Sequence, residues 1–207
     1  MIDLTRTLYD QIQVYPGDTQ FKLSQTAHVN DDKYNAFTAS TGMHVGTHID
    51  MPLHFINNGA MACDIELSRF IGRAVIIDAR GENIIYPREE YKILQDSIVL
   101  ICTGHAELFG TSAYYQNYPV IDRDFADMLV EKGVKMLGVD TPGPDMEPYT
   151  LHNILLQNNV LILENLVNLE QLIGISDVKL IALPLKIEAE ASPVRAIAFT
   201  ENISDLL

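Results

Sequence analysis

The chain has 207 residues, 47% of them hydrophobic, which favours one domain with a substantial buried core. Its formal net charge of −14 argues against nucleic acid or an anionic membrane surface as a partner, because both attract basic patches. No apolar run approaches the roughly 18 residues of a membrane span, and the first residues lack the pattern of a signal peptide. We therefore predict a cytoplasmic protein with a single domain over residues 1–207.

The first third of the chain is predicted to be rich in strands and loops, with a turn at Tyr15-Pro-Gly-Asp18. It leads into a short segment with four side chains that can bind a metal, namely His44, His48, Asp50 and His54. Imidazole and carboxylate groups are ligands that divalent transition metals prefer in proteins. Because the chain has only six histidines, this concentration indicates a metal site.

The four positions are all even-numbered, so those that lie on a strand would share one face. Gly46 and Pro52 argue against a regular helix, and we expect an extended or turning segment in which Gly46 lets the backbone approach the metal. Pro52 would turn the chain to bring His54 into the same cavity, while Thr47 and Ile49 point the other way. Scattered surface histidines and a structural metal site are the alternatives, but structural zinc sites are usually rich in cysteine. An open catalytic metal site suits these ligands better.

Six apolar runs follow this segment and are predicted to form strands, of which the first five are near-continuous, as in strands buried on both faces. They comprise residues 74–78, 97–102, 134–139, 160–163, 178–183 and 195–200. Helical signals lie between them: a helix from Asp122 as N-cap to Gly133, a first turn over residues 87–91, and helices over residues 149–157 and 168–174, the last one capped. The mixture predicts an α/β fold.

Two distant residues are candidate partners of the segment, since a rigid metal site needs ligands from more than one place. His152 lies in the helix predicted after Tyr149. Glu164 follows the run 160–163, at the carboxyl end of a strand, where α/β proteins build their sites. A half-buried hydrogen-bonded His152 and a solvated Glu164 remain alternatives. His28 and His105 lack such support and are expected to be surface or hydrogen-bonded residues.

A long motif, His44-Val-Gly-Thr-His48-Ile-Asp50-Met-Pro-Leu-His54-Phe, resembles that of the metal-dependent cyclase family, whose best-described members are bacterial kynurenine formamidases. The resemblance covers nearly the whole chain, with further matches at Tyr15-Pro-Gly-Asp18, Gly138-Val-Asp-Thr-Pro142, Leu163-Glu-Asn-Leu166 and Ser192-Pro-Val-Arg195. The chain departs from the formamidases at Tyr15, where Trp is usual, and at Glu190-Ala191, where Asp-Gly is common.

The resemblance implies a swivelling β/β/α fold with a mixed sheet, assembled into homodimers or homotetramers. It also implies two divalent metal ions per chain, zinc or alternatively manganese. Five side chains would hold them: His44 and His48 the first ion, His152 the second, and Asp50 and Glu164 both. His54 would be the acid/base, and Tyr15 would contact the ring of a small-molecule substrate.

The activity implied by the resemblance is hydrolysis of the C–N bond of a small aromatic formamide, with N-formylkynurenine as the leading substrate and kynurenine and formate as products. A metal-bridging hydroxide would attack the carbonyl carbon, while His54 takes up a proton and returns it to the leaving amine. Two alternatives are hydrolysis of a cyclic amide or lactone, such as an isatin-like ring, and a non-catalytic metal- or ligand-binding module. The presence of His54 weighs against the module, because a protein that only holds metal needs no spare base.

Overall fold

Residues 1–200 are the part of the chain described by the computed structural model, so the predicted domain boundary at residue 207 lies outside the described residues. Its strands are β1 (Ile2–Asp3), β2 (Lys22–Ala27), β3 (Ala36–Ser40), β4 (His48–Asp50), β5 (Ile71–Asp78), β6 (Ile84–Ile85), β7 (Ile98–Cys102), β8 (Val120–Ile121), β9 (Met136–Val139), β10 (Leu161–Glu164), β11 (Val178–Pro184) and β12 (Ala191–Phe199). Its helices are α1 (Val29–Asp32), α2 (Arg123–Glu131) and α3 (Thr150–Gln157).

Eight of these strands form one sheet in the order β1-β12-β11-β5-β7-β9-β10-β4, and β4 also pairs with β12. The sheet therefore closes on itself through β4. The strands β5, β7, β9 and β10 run parallel to one another, whereas the other pairings of this sheet are antiparallel. The predicted α/β fold with a mixed sheet is confirmed, and all six apolar runs contribute strands.

Alternate residues of the central strands divide the core into two clusters, because successive side chains of a strand point to opposite faces. Leu100 of β7 packs in the first cluster, and Ile101 packs in the second together with Phe125 of α2 and Leu155 of α3. The strands β7, β9 and β10 are buried throughout, as predicted. The same prediction is wrong for β5 and β11, whose side chains are buried only in part.

The predicted helix over residues 122–133 is confirmed, since the Asp122 side chain accepts a hydrogen bond from the Asp124 backbone N–H at 2.9 Å. Residues 87–91 and 168–174 contain only single 3₁₀ turns, at Glu89–Tyr91 and Leu169–Leu172. Asn168 does not cap its turn, because its side-chain amide donates instead to the Asp3 carbonyl at 2.8 Å. No helix of the described chain is long and apolar enough to cross a membrane.

Candidate metal centre

The neighbouring strands β4 and β10 place three of the predicted ligands. Their antiparallel register puts Glu164 directly opposite His48 and Asp50 opposite Ile162. Ile49 packs in the first core cluster, so His48 and Asp50 point to the other face of β4. The shared face expected for the even-numbered positions is therefore confirmed for these two residues.

The segment on either side of β4 turns, as predicted. Pro52 begins a 3₁₀ turn that ends at His54, and the ring centroids of His54 and His44 lie 4.2 Å apart. Gly46 has a positive φ of 57°, and a Cβ atom there would lie 2.6 Å from Leu8 Cδ2. A side chain at this position would therefore clash with Leu8.

Thr47 points away from the ligands and ties β4 to the rest of the molecule. Its hydroxyl donates to the Asn165 carbonyl at 2.9 Å and accepts from the Arg6 backbone N–H at 2.9 Å. These two bonds fix the backbone next to His48. The Thr47 side chain points away from the ligands, as predicted.

Asp50 and Glu164 each lie close to two histidines of the centre. Glu164 Oε2 lies 3.2 Å from His48 Nε2, and its Oε1 lies 3.1 Å from His152 Nε2 on α3. Asp50 Oδ1 lies 3.0 Å from His44 Nδ1, and its Oδ2 lies 3.8 Å from His152 Nε2. The structure thus brings together all five residues that the sequence singled out as ligands.

These side chains form two groups of potential ligands that share Asp50, and the ligand atoms within each group lie within 4.8 Å of one another. One group contains His44, His48 and Asp50, and the other contains Asp50, His152 and Glu164. Asp50 Oδ1 is buried without a well-formed hydrogen bond, although a buried carboxylate oxygen normally has a partner. The imidazole and carboxylate groups around Asp50 Oδ1 are the types of ligand that bind divalent metal ions such as zinc or manganese.

The charges of the group set the pKa values of its histidines. Burial lowers the pKa of His44, but the negative charge of Asp50, whose Oδ1 lies 3.0 Å from His44 Nδ1, outweighs it and raises that pKa to about 9. Burial likewise opposes protonation of His152, whose pKa rises to about 10 through its bonds to Asp145 and Glu164. Metal ions would replace these protons, because they bind the deprotonated imidazole.

His54 differs from the other histidines of the centre. It belongs to neither group of potential ligand atoms. Burial lowers its pKa below the ordinary value of 6.5. A neutral imidazole beside the ligands is suited to accept a proton.

Two acidic residues that the sequence did not assign to the site contact its histidines. Asp145 Oδ1 lies 2.5 Å from His152 Nδ1, and Glu190 Oε1 lies 3.4 Å from His44 Nε2. His48 uses a backbone group instead, since its Nδ1 lies 2.9 Å from the Gly46 carbonyl oxygen. In the sequence, Glu190 stands out only as a departure from the family pattern, and Asp145 lies beyond the matching segment that ends at Pro142.

A cavity of about 430 Å³ opens onto the ligands and His54. Its wall includes the aromatic side chains Tyr15, Phe55, Tyr115, Tyr118 and Tyr149. The Tyr15 and Tyr149 hydroxyls are 2.9 Å apart, and the Tyr15 ring meets the Tyr115 ring edge to face at 5.3 Å. The remaining histidines are outside this wall: His28 is exposed, and His105 lies 2.7 Å from the Tyr114 carbonyl oxygen.

An open cavity over clustered imidazole and carboxylate groups, with a spare histidine beside them, defines a metal-dependent hydrolase. The family described as putative cyclase matches residues 2–146, and the chain belongs to this cyclase family. Kynurenine formamidase of Bacillus cytotoxicus is 32% identical over 206 residues, which cover 95% of each chain. The kynurenine formamidase of Bacillus thuringiensis subsp. konkukian is 31% identical over 201 residues, again 95% of each chain.

Solved structures agree with the family. Isatin hydrolase A from Labrenzia aggregata, bound to benzyl benzoate, superposes with a TM-score of 0.87 at 26% identity and covers 97% of this chain and 93% of its own. Isatin hydrolase A from Ralstonia solanacearum gives a TM-score of 0.82 at 26% identity, covering 95% of this chain and 90% of its own. The predictions of family and of enzyme class are confirmed: the chain is a metal-dependent amide hydrolase. A non-catalytic binding module does not agree with these relatives.

Proposed function

We propose that the protein hydrolyses N-formylkynurenine to kynurenine and formate. The observation that carries this proposal is the position of the neutral His54 ring, 4.2 Å from the His44 ring and at the edge of an aromatic cavity. Relatives named kynurenine formamidase that match 95% of each chain support the formamide as substrate.

The ligands would hold two divalent ions, zinc or manganese, with His44 and His48 at one, His152 at the other, and Asp50 and Glu164 at both. When bound, these ions would supply an activated water and polarise the carbonyl group of the substrate. The side chains themselves hold this arrangement because each carboxylate has an oxygen turned toward each half of the centre.

His54 would act as the acid/base. It would take the proton from the attacking water and deliver it to the amide nitrogen as the C–N bond breaks, so that the formyl carbon leaves as formate and the nitrogen as an arylamine. Its lowered pKa keeps the imidazole neutral and ready to accept at neutral pH. Tyr15 would contact the aromatic ring of the substrate, since edge-to-face packing favours such pairs.

A second candidate substrate is a cyclic aromatic amide of the isatin type. The isatin hydrolase from Labrenzia aggregata superposes with a TM-score of 0.87, so this fold accommodates such a ring in that protein. An amide C–N bond is broken in both reactions. A cyclic amide yields one ring-opened product, whereas the formamide yields two separate molecules.

Turnover of the two substrates by metal-free, zinc-loaded and manganese-loaded protein tests the proposal. We expect metal-dependent release of kynurenine that a chelator abolishes, with slower turnover of isatin. Metal-dependent opening of isatin without formamide turnover would replace the proposed substrate by the second one. Absence of both reactions in metal-loaded protein would contradict the proposal.

We also propose that the chain works as a homodimer or homotetramer, as the resemblance to the family implies. Sedimentation velocity at several concentrations would test this, and a mass equal to one chain at all of them would contradict it.

A further inference from the structure

Asp145 is a buried carboxylate, 7% exposed, in the loop that precedes α3. Its two oxygens have separate partners in the first turn of that helix: Oδ1 faces His152 Nδ1 at 2.5 Å, and Oδ2 accepts the Leu151 backbone N–H at 2.6 Å. If either oxygen moved away, a buried donor would be left without a hydrogen-bond partner. The carboxylate is therefore fixed in one orientation.

This contact decides which nitrogen of His152 faces the metal centre. With Nδ1 donating to Asp145, the Nε2 atom is turned toward Glu164 Oε1 at 3.1 Å and Asp50 Oδ2 at 3.8 Å. A histidine ligand of a metal commonly donates its other N–H to a carboxylate, which fixes the tautomer and the ring orientation.

The loop that carries Asp145 is itself held. The Tyr118 hydroxyl donates to the Asp145 carbonyl at 2.7 Å, and the Ile121 backbone N–H donates to the Pro144 carbonyl at 2.9 Å. The comparable contact in the other half is weaker, because Glu190 lies 3.4 Å from His44 Nε2 and its side chain is 38% exposed. The two halves of the centre therefore differ in how firmly a carboxylate supports the ligand histidine.

We propose that Asp145 is a positioning residue that fixes the tautomer of His152 and thereby sets the metal affinity of the half formed by Asp50, His152 and Glu164. The inference rests on the metal centre of the proposed function and adds the residue that controls one half of it. It concerns metal binding and does not depend on which amide is the substrate.

The variant Asp145→Asn keeps the size of the side chain but has only one acceptor oxygen. The buried Leu151 N–H needs that oxygen, so the amide NH₂ group faces His152 Nδ1 and donates to it. The ring proton then moves to Nε2, where it blocks metal binding. Asp140→Asn is the matched control, because Asp140 is a buried carboxylate whose side-chain bonds within the described chain come from Thr103 and Gly104.

Competitive zinc titration of the full chain, with unfolding curves for each variant, tests the proposal. In Asp145→Asn we expect one of two ions to bind about 10- to 100-fold more weakly, with the affinity for the other ion retained. Asp140→Asn should retain the wild-type affinity for both ions. Equal zinc affinities in Asp145→Asn and wild type would overturn the proposal.

A spectroscopic measurement on the wild-type protein needs no variant and covers the case in which Asp145→Asn does not fold. In ¹⁵N spectra of zinc-loaded protein, His152 should carry its proton on Nδ1 and bind zinc through Nε2. The opposite assignment would overturn the inference. Wild-type protein that binds two ions but hydrolyses neither substrate would contradict only the proposed function, whereas wild-type protein that binds no zinc would contradict both.

Discussion

Glu164 lies directly opposite His48 in the antiparallel pairing of β10 with β4, and its Oε2 is 3.2 Å from His48 Nε2. Its Oε1 is 3.1 Å from His152 on α3, so one buried carboxylate connects a strand pair to a helix. Residues directly opposite each other on antiparallel strands are close enough to interact. A slip of one residue would turn Glu164 to the other face of the sheet, and the geometry of the centre therefore depends on strand register.

Glu164→Gln should lose turnover by at least about 100-fold, because removing even an outer partner of a ligand commonly costs 10- to 100-fold. The amide keeps the shape of the side chain but removes the negative charge between His48 and His152. Metal content and turnover, measured together, check this result. Glu170→Gln removes an exposed carboxylate and is the control; a Glu164→Gln enzyme with both ions and full turnover would contradict the assignment.

His54→Ala should lower kcat by about 10²- to 10⁴-fold, the usual contribution of a general acid–base group. The metal content should remain that of the wild type, because His54 lies outside both groups of ligand atoms. His28→Ala removes an exposed histidine and should keep wild-type turnover. Full turnover by metal-loaded His54→Ala would show that another group moves the proton.

Tyr15→Ala should raise KM by roughly 10-fold, since an aromatic contact contributes about 0.5–1.5 kcal/mol beyond buried area. Tyr15→Phe keeps the ring and loses only the hydroxyl bond to Tyr149, so its effect on KM should be smaller. Steady-state kinetics with the formamide substrate measure both variants. Tyr9→Ala, at a residue 51% exposed, is the control, and an unchanged KM in Tyr15→Ala would remove Tyr15 from the substrate site.

The stability of metal-free protein should fall as the pH rises above neutrality. The pKa of His44 is about 9 and that of His152 about 10 in the folded chain, against an ordinary value of 6.5 in the unfolded chain. Because the folded state binds these protons more tightly, their stabilising contribution is complete below about pH 6.5 and is lost as the pH rises through 9 and 10.

Urea unfolding of chelated protein across this pH range measures the effect. His152→Gln should flatten the upper part of the curve, because that variant lacks the group with the higher pKa. Saturating zinc should oppose the loss of stability, since metal ions bind deprotonated imidazoles. A free energy of unfolding that does not change with pH in the metal-free protein would contradict the charge assignment.

The local features of this protein can be predicted from its amino-acid sequence. The apolar runs predicted their strands, Asp122 and Gly133 predicted the limits of a helix, and alternation placed His48 and Asp50 on one face. These features follow from residue type and spacing within a few positions, which is the range over which backbone geometry and side-chain periodicity act. The roles of the distant His152 and Glu164 came from the resemblance to a family and not from spacing.

Contacts between distant residues are visible only in the tertiary structure. It closed the sheet through β4, set Glu164 opposite His48, and placed Asp145 against His152. In the fold, the Asn168 side chain also bonds to Asp3 and does not cap a helix, and Gly46 packs against Leu8. Contacts of this kind depend on sheet register and loop packing between segments far apart in the chain, and no local pattern encodes them because each partner alone would suit many positions.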